Sequence, residues 1–293
     1  MDAGGSFIKS AVLDEGGFVH ASSFFVSKSY SGYRSKEMII GAFKENISKG
    51  LLFIGENEMV LGGIGIAIPG PFDYRNGVSL MTHKFQSLYG MNLKALIVEA
   101  TGIESNLPFV FVHDANAVLY SEQWTGNAKD FANTAVVTIG TGLGFAHSQN
   151  RTIQCNEWGS PSVSIFKTPC REGILEDYVS KRGILKIYGE LANKKPGNLT
   201  VNQIADLAGK GDASAIATFC EAGQLLAKAI AGVLVAKNIE CLLFAGQISR
   251  SYHLMETAIT EELQGIRSLK LISPVKNIDY AAFYGVLWNL NYF

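Results

Sequence analysis

Charge of one sign is what this chain most lacks: 25 basic and 26 acidic side chains leave a formal net charge of −1. No strong field exists to draw in nucleic acid or an anionic membrane surface, so neither is expected as a partner. Cysteine is scarce too. Cys155, Cys170, Cys220 and Cys241 form no C-x-x-C pair and have no H-x₃₋₅-H nearby, which removes a sequence-evident zinc site. Thinly spread thiols suit a reducing cytosol, where they behave as small buried hydrophobes. No charged segment followed by an apolar one opens the chain, so no secretory signal is read there. Apolar runs such as Gly62–Ile68 and Ala229–Ala236 are too short for a membrane span. Low-complexity linkers and solenoid repeats are missing as well. The expectation is a soluble cytoplasmic protein.

What is present is core-forming material. The 293 residues suffice for two domains, and 47% of them are hydrophobic. Phe7–Val12 and Phe18–Ser27 read as β-rich runs joined by a turn at Asp14-Glu15-Gly16-Gly17. Further strands are expected at Val60–Ile68, Phe109–Val112, Thr134–Ile139, Cys241–Ala245 and Leu269–Ile272. Apolar spacing predicts helices over Ser35–Lys49, Asn92–Thr101, Ala115–Trp124, Gly173–Tyr188, Leu199–Gly209, Asp212–Asn238 and Ala281–Leu290. Strands alternating with helices indicate buried sheets covered by helices.

Two glycine turns follow strands, one in each half. In Gly4-Gly5-Ser6 and Gly140-Thr141-Gly142, backbone N–H groups can approach phosphate oxygens without Cβ interference, and a hydroxyl is at hand. Either alone could be an ordinary hairpin turn. Neither fits the Walker pattern or completes G-x-G-x-x-G, so P-loop and dinucleotide-binding readings are disfavoured. Asp2, just before the first turn, could hold Mg²⁺ beside phosphates or could simply initiate the turn. Asp114 stands at a strand end before Ala115-Asn116-Ala117. A carboxylate there can accept a proton from a substrate hydroxyl in phosphoryl transfer, and it could equally cap the following helix.

Together these segments resemble the ROK family of sugar kinases and regulators, within the actin/hexokinase-like superfamily, over nearly the whole chain. Asp2-Ala3-Gly4-Gly5-Ser6 is similar to the family's D-x-G-G-T phosphate loop, and Lys9 follows it. Gly65–Asp73 resembles the G-x-P-G-x-V/F-D segment at the sugar pocket. His113-Asp114-Ala115-Asn116-Ala117 resembles N-D-A-N-A, whose Asp is the family's base. Thr138–Gly144 resembles the second phosphate loop, and Phe244–Ser249 falls where the adenosine-side G-G-G-x-S lies.

The resemblance implies an α/β, two-lobed actin/hexokinase-like (ribonuclease H-like) fold with an ATP/sugar cleft between the lobes. The N-terminal lobe would be 1–113, joined by a C-terminal helix at 280–293, and the C-terminal lobe 114–279. The implied activity is ATP-dependent phosphorylation of a hexose or hexose derivative, at C6, with Asp114 as general base. Gly70, His113, Asn116, Glu157 and Glu176 would bind the sugar. Gly4, Gly5, Ser6, Lys9, Gly140, Thr141, Gly142, Gly144 and Gly246 would hold ATP, with Mg²⁺ at Asp2. The family also suggests a homodimer.

Departures from the family pattern bear on the sugar side. The family's G-E-x-G-H becomes Asn156-Glu157-Trp158-Gly159-Ser160, keeping the Glu and losing the His. Its three zinc cysteines become Lys167, Pro169 and Ile174, so no structural zinc is expected, although Glu176 persists. His113 replaces an Asn, and Lys84 stands where many members have a neutral residue; it could contact substrate or only meet solvent. Only Met1 precedes Asp2, where the family has a full first strand. The alternative to an enzyme is a catalytically silent sugar-binding or sensing protein. The family's regulators carry an N-terminal helix-turn-helix domain, and none precedes Asp2 here.

Overall fold

Short β-branched runs and capped amphipathic segments sort into two compact units in the computed structural model, which describes residues 1–32, 34–193 and 196–292. The first unit comprises 1–125, 155–162 and 280–293. Its strands are β1 (Asp2–Ala3), β2 (Phe7–Ser10), β3 (Phe25–Lys28), β4 (Ile64–Ile68), β5 (Phe72–Asp73), β6 (Val78–Ser79) and β7 (Phe109–His113). Five of them form one sheet in the order β3-β2-β1-β4-β7. β1 and β7 run parallel to β4, while β2 is antiparallel to β1 and β3. β1 is only two residues long; the Met1 amine donates to Gly65 O at 2.7 Å, and burial lowers its pKa to about 5.

Both faces of this sheet are covered. Helix α1 (Lys36–Glu56) is capped by Ser35, whose hydroxyl accepts from Met38 N. Helix α2 (Leu93–Thr101) starts at Asn92, which accepts from Ala95 N at 2.9 Å, and stops at Gly102 with φ 71°. Their apolar faces join Ile8, Ile66, Ile68 and Phe72 in one core. On the other face lie α3 (Asp114–Trp124) and the last helix, Ala281–Tyr292. That packing is close: a Cβ on Gly65 would stand 2.0 Å from Val286, and one on Gly285 would stand 1.6 Å from Ala117 O.

The second unit comprises 126–154 and 163–279. Its strands are β8 (Thr134–Ile139), β9 (Leu143–Gln149), β10 (Thr152–Ile153), β11 (Pro169–Cys170), β12 (Gly173–Ile174), β13 (Cys241–Ala245) and β14 (Leu271–Pro274). The sheet order is β10-β9-β8-β13-β14, with β8, β13 and β14 parallel. The helices are α4 (Lys181–Leu191), α5 (Val201–Gly209), α6 (Ala213–Ala236) and α7 (Glu256–Leu263). Thr200 and Gln203 form a capping box on α5, and Asp212 caps α6.

Several elements differ from expectation. Gly173–Tyr188 is not one helix: its first residues pair with β11, a 3₁₀ turn covers Leu175–Asp177, and α4 begins only after Ser180. Its cause is a tight hairpin that pairs Cys170 with Gly173. Helix α7 has no counterpart in the sequence expectation. The α3 helix and residues 155–162 group with the first unit, whereas a boundary at 113/114 would assign both to the second. Packing of α3 on the last helix accounts for that. Finally, α6 is 24 residues long and, by length and composition, apolar enough to cross a membrane. Glu221, Gln224 and Lys228 break it into shorter runs. Its Phe219, Leu226, Ile230 and Leu234 are fully buried in the core of the second unit.

One core residue carries a pH consequence. His147 on β9 is fully buried, and neither ring nitrogen has a hydrogen-bond partner among the described residues. Burial lowers its pKa, and the charge of Lys237 adds to this. The fold therefore holds the neutral ring, and its contribution is fully present above the unfolded value of about 6.5. It is lost as pH falls through the lowered folded value. The urea midpoint is expected to drop from pH 7 to pH 5, and to drop less in His147→Leu; equal drops would contradict this.

Candidate active site

Parallel pairing of β4 with β7 sets Ile68 opposite His113, so the two strand ends present Gly70 and Asp114 side by side. A Cβ on Gly70 would stand 3.3 Å from Ser160 Oγ and 3.5 Å from both His113 Cδ2 and Tyr74 Oη. Tyr74 is buried and donates to Ile68 O at 2.9 Å, and its ring meets His113 edge-on at 5.9 Å. Burial raises its pKa well above the usual phenol value, with the Asp114 charge adding to this.

Asp114 is the first residue of α3, not its cap. His113 occupies the cap, accepting from Ala115 N at 3.2 Å. Asp114 Oδ1 accepts from the same amide at 2.7 Å and lies 3.0 Å from His113 Nδ1. Nδ1 cannot accept from Ala115 and donate to Asp114 at once, so these contacts are alternatives that differ in whether Nδ1 carries a proton. Burial pushes the Asp114 carboxyl up, but the charge and hydrogen bond of His113, the Lys84 charge and the Ala115 amide outweigh it, holding the pKa at about 2. With 36% of its side chain exposed, the carboxylate remains reachable.

Asn116, in the first turn of α3, is 2% exposed. Its Nδ2 donates to Gly159 O at 3.1 Å and Cys155 Sγ at 3.3 Å. Because Gly159 O can only accept, the amide's orientation is fixed. Asn116 Oδ1 is then a buried acceptor with no partner among the described residues. Such an atom costs about 1–3 kcal/mol unless something donates to it, and a ligand hydroxyl would. Residues 156–160 form a tight turn: Asn156 Oδ1 accepts from Trp158 N and Ser160 N, both at 3.0 Å, and Tyr74 N donates to Trp158 O. Glu157 is exposed at its tip.

On β1, Asp2 lies opposite Lys9. Burial raises the Asp2 pKa; Lys9 opposes this, and the like charge of Asp114 adds to it. A cation would relieve that repulsion. Among the described residues no group of three His, Cys, Asp or Glu could hold a metal alone. A single carboxylate suits only a cation that takes most of its ligands elsewhere, as Mg²⁺ does from phosphates and water. Zinc does not fit the Lys167, Pro169 and Ile174 positions, which offer no ligand side chain.

The Gly4–Ser6 turn is a tight hairpin link, with Gly4 N donating to Phe7 O at 2.9 Å. In the second unit, Gly140 N donates to Gly142 O at 2.9 Å, and a Cβ on Gly140 would meet nothing within 4 Å. Open space lies above that glycine. Pairing of Ala245 with Thr138 brings Gly246 beside this turn. Gly246 has φ 85°, and a Cβ there would stand 2.4 Å from Ile139 O, so only glycine fits. Thr141 and Gly142 complete the turn, and Gly144 lies on β9, paired with Thr138. Glu157 belongs to the first unit and Glu176 to the second, where the Glu176 carboxylate accepts from Leu143 N at 2.9 Å.

Sequence reasoning missed Tyr74 and Ser160 at the site. Tyr74 directly follows Phe72-Asp73, so its place in that segment was the available signal.

Two mixed sheets of five strands, each continuing into a glycine turn, define the actin/hexokinase-like fold. The chain belongs to the ROK family, whose model matches residues 1–286. It is similar to a beta-glucoside kinase of Listeria innocua, 32% identical over 111 residues. That match covers 38% of this chain and 36% of the relative's length. A glucokinase of Thermotoga maritima is 24% identical over 220 residues, 68% of each protein. The fold is shared with a ROK family glucokinase from Streptomyces griseus solved with glucose and AMPPNP. The TM-score there is 0.81 at 18% identity, covering 98% of this chain and 97% of that one.

Proposed function

We propose that this chain is an ATP-dependent sugar kinase that phosphorylates a hexose or hexose derivative, at the C6 hydroxyl, with Asp114 as general base. The observation that carries this is the pairing of an ionised, reachable Asp114 carboxylate with the buried, unpartnered acceptor of Asn116. One group can take a hydroxyl proton while the other orients the same sugar. Gly70, His113 and Glu157 complete the sugar contacts. Gly70 leaves room for the ring to approach, and His113 stands beside the base.

The nucleotide is assigned to Gly4, Gly5, Ser6 and Lys9 in the first unit and to Gly140, Thr141, Gly142, Gly144 and Gly246 in the second. Backbone donors in such turns stabilise charge on the phosphoryl oxygens. Mg²⁺, held by Asp2 with the phosphates, would neutralise part of that charge. Names of the relatives, glucokinase and beta-glucoside kinase, support glucose and β-glucosides as the first acceptors to try.

A second reading, a sugar binder without turnover, is favoured by the changed residues Lys167, Pro169, Ile174 and Ser160. Titration calorimetry with AMPPNP separates the two. A kinase is expected to bind it at micromolar to millimolar concentration, and a silent sugar binder is expected to give no heat.

A further inference from the structure

His113 ends β7 and Asp114 opens α3, so one strand end fixes both side chains. Three polar atoms meet there. Asp114 Oδ1 lies 3.0 Å from His113 Nδ1, and Ala115 N lies 2.7 Å from Oδ1 and 3.2 Å from Nδ1. A bare Nδ1 would set its lone pair against a carboxylate oxygen with no proton between them, which is repulsive at that distance. A proton on Nδ1 turns the same contact into a charge-assisted hydrogen bond. The Ala115 amide loses nothing by this, since Oδ1 is its nearer acceptor. The ring is held in place: Tyr74 meets it edge-on at 5.9 Å, and only 14% of the His113 side chain is exposed. Its Cδ2, next to Nε2, faces Gly70, 3.5 Å from where a Cβ would stand. Neither His113 Nε2 nor Asp114 Oδ2 has a hydrogen-bond partner among the described residues.

Resting on the kinase reading, we propose that His113 is a positioning residue for the base: its Nδ1–H, with the Ala115 amide, fixes Asp114 Oδ1 and leaves Oδ2 as the atom that takes the sugar hydroxyl proton. In the neutral ring Nε2 is then an acceptor, open to a second hydroxyl of the same sugar. The two donors on Oδ1 also weaken the base, since they and Lys84 outweigh the burial that pushes the Asp114 carboxyl up. In a loose phosphoryl-transfer transition state the protein contributes mostly by positioning, so the aim of Oδ2 outweighs the lost basicity.

The tautomer is read directly by ¹⁵N NMR of the full chain without ligand, the His113 ring signals being those lost in His113→Asn. A proton on Nδ1 is expected; a ring with its proton on Nε2 and a bare Nδ1 overturns the proposal. Steady-state kinetics with the sugar that supports ADP release separates the two ring nitrogens. Asparagine places an amide where Nδ1 stands, and glutamine places one near Nε2. His113→Ala is expected to lower kcat about 10–100-fold, with KM for ATP within about twofold. His113→Asn is expected to bring kcat back to within about threefold of the unsubstituted protein, while KM for the sugar rises because the Nε2 contact is gone. His113→Gln is expected to stay as slow as the alanine variant, and it serves if that variant does not fold. An unchanged kcat in His113→Ala and His113→Gln overturns the positioning role. So does an asparagine variant no faster than these two, or recovery by glutamine alone. Failure of every sugar to raise ADP release is a different result: it overturns the kinase reading, and the positioning role with it, whatever the tautomer.

Discussion

Asp114→Asn is expected to lower sugar-dependent ADP release by about 10²–10⁴-fold, the usual contribution of a positioned general base. The substitution is nearly isosteric, and the amide oxygen can still accept from Ala115 N as Oδ1 does now. Sugar affinity is expected to change little, because Gly70 and Asn116 are untouched. The loss should therefore fall on kcat and not on KM for the sugar. Turnover comparable to the unsubstituted protein would remove Asp114 from the role of base. The pH profile gives an independent check. With its pKa held at about 2, Asp114 stays ionised throughout the working range. No acid limb near pH 4 is then expected from its protonation; such a limb, absent in Asp114→Asn, would show that the carboxyl titrates normally.

Gly285→Ala carries the largest expected effect on stability. Helix propensity alone would favour alanine in mid-helix by about 1 kcal/mol. Sterics reverse the sign. The added Cβ would stand 1.6 Å from Ala117 O and 2.4 Å from its carbonyl carbon, backbone atoms of α3 that cannot swing aside. The last helix must move away from α3, opening the layer that holds Val112, Ala117 and Val286. A loss of about 3 kcal/mol or more is expected, the upper end of overpacking costs. Because α3 begins at Asp114, activity should fall with stability. An unchanged denaturation midpoint would contradict the close packing of these helices.

Much of this architecture is legible in the chain. Thr134–Ile139 and Cys241–Ala245 are continuous apolar runs, each stopped by a glycine, and both are strands with those bounds. Helices α2 and α5 announce their starts through Asn92 and Thr200, residues whose side chains cap their own backbone. Gly173–Tyr188 was not legible, because Ile174, Leu175, Tyr178 and Val179 satisfy a helical spacing while serving a hairpin and a 3₁₀ turn. Only the pairing of Cys170 with Gly173 decides between them.

The site divides in the same way. Asp114 and Asn116 lie two residues apart at a strand end, so local pattern reveals both. Partners made by distant segments do not show in a local pattern. Gly159 O meets Asn116 from 43 residues away, and Glu176 reaches Leu143 across 33. Sequence resemblance marks Glu176 as a ligand residue; that it also holds Leu143 N and Arg182 shows only in the fold. Tyr74 was missed for a different reason. An aromatic beside Phe72 reads as core, and its hydroxyl on Ile68 O shows only where the chain after β4 folds back on that strand.

Paired assay of ADP and sugar phosphate tests the central claim most directly. The purified chain is incubated with ATP, Mg²⁺ and a panel of glucose, N-acetylated hexosamines, fructose and β-glucosides. At least one sugar is expected to raise ADP release well above the sugar-free rate, with sugar phosphate formed in equal amount. ADP release that no sugar increases, while sugar binding is demonstrable, would contradict the account and leave a sugar-binding protein without phosphoryl transfer.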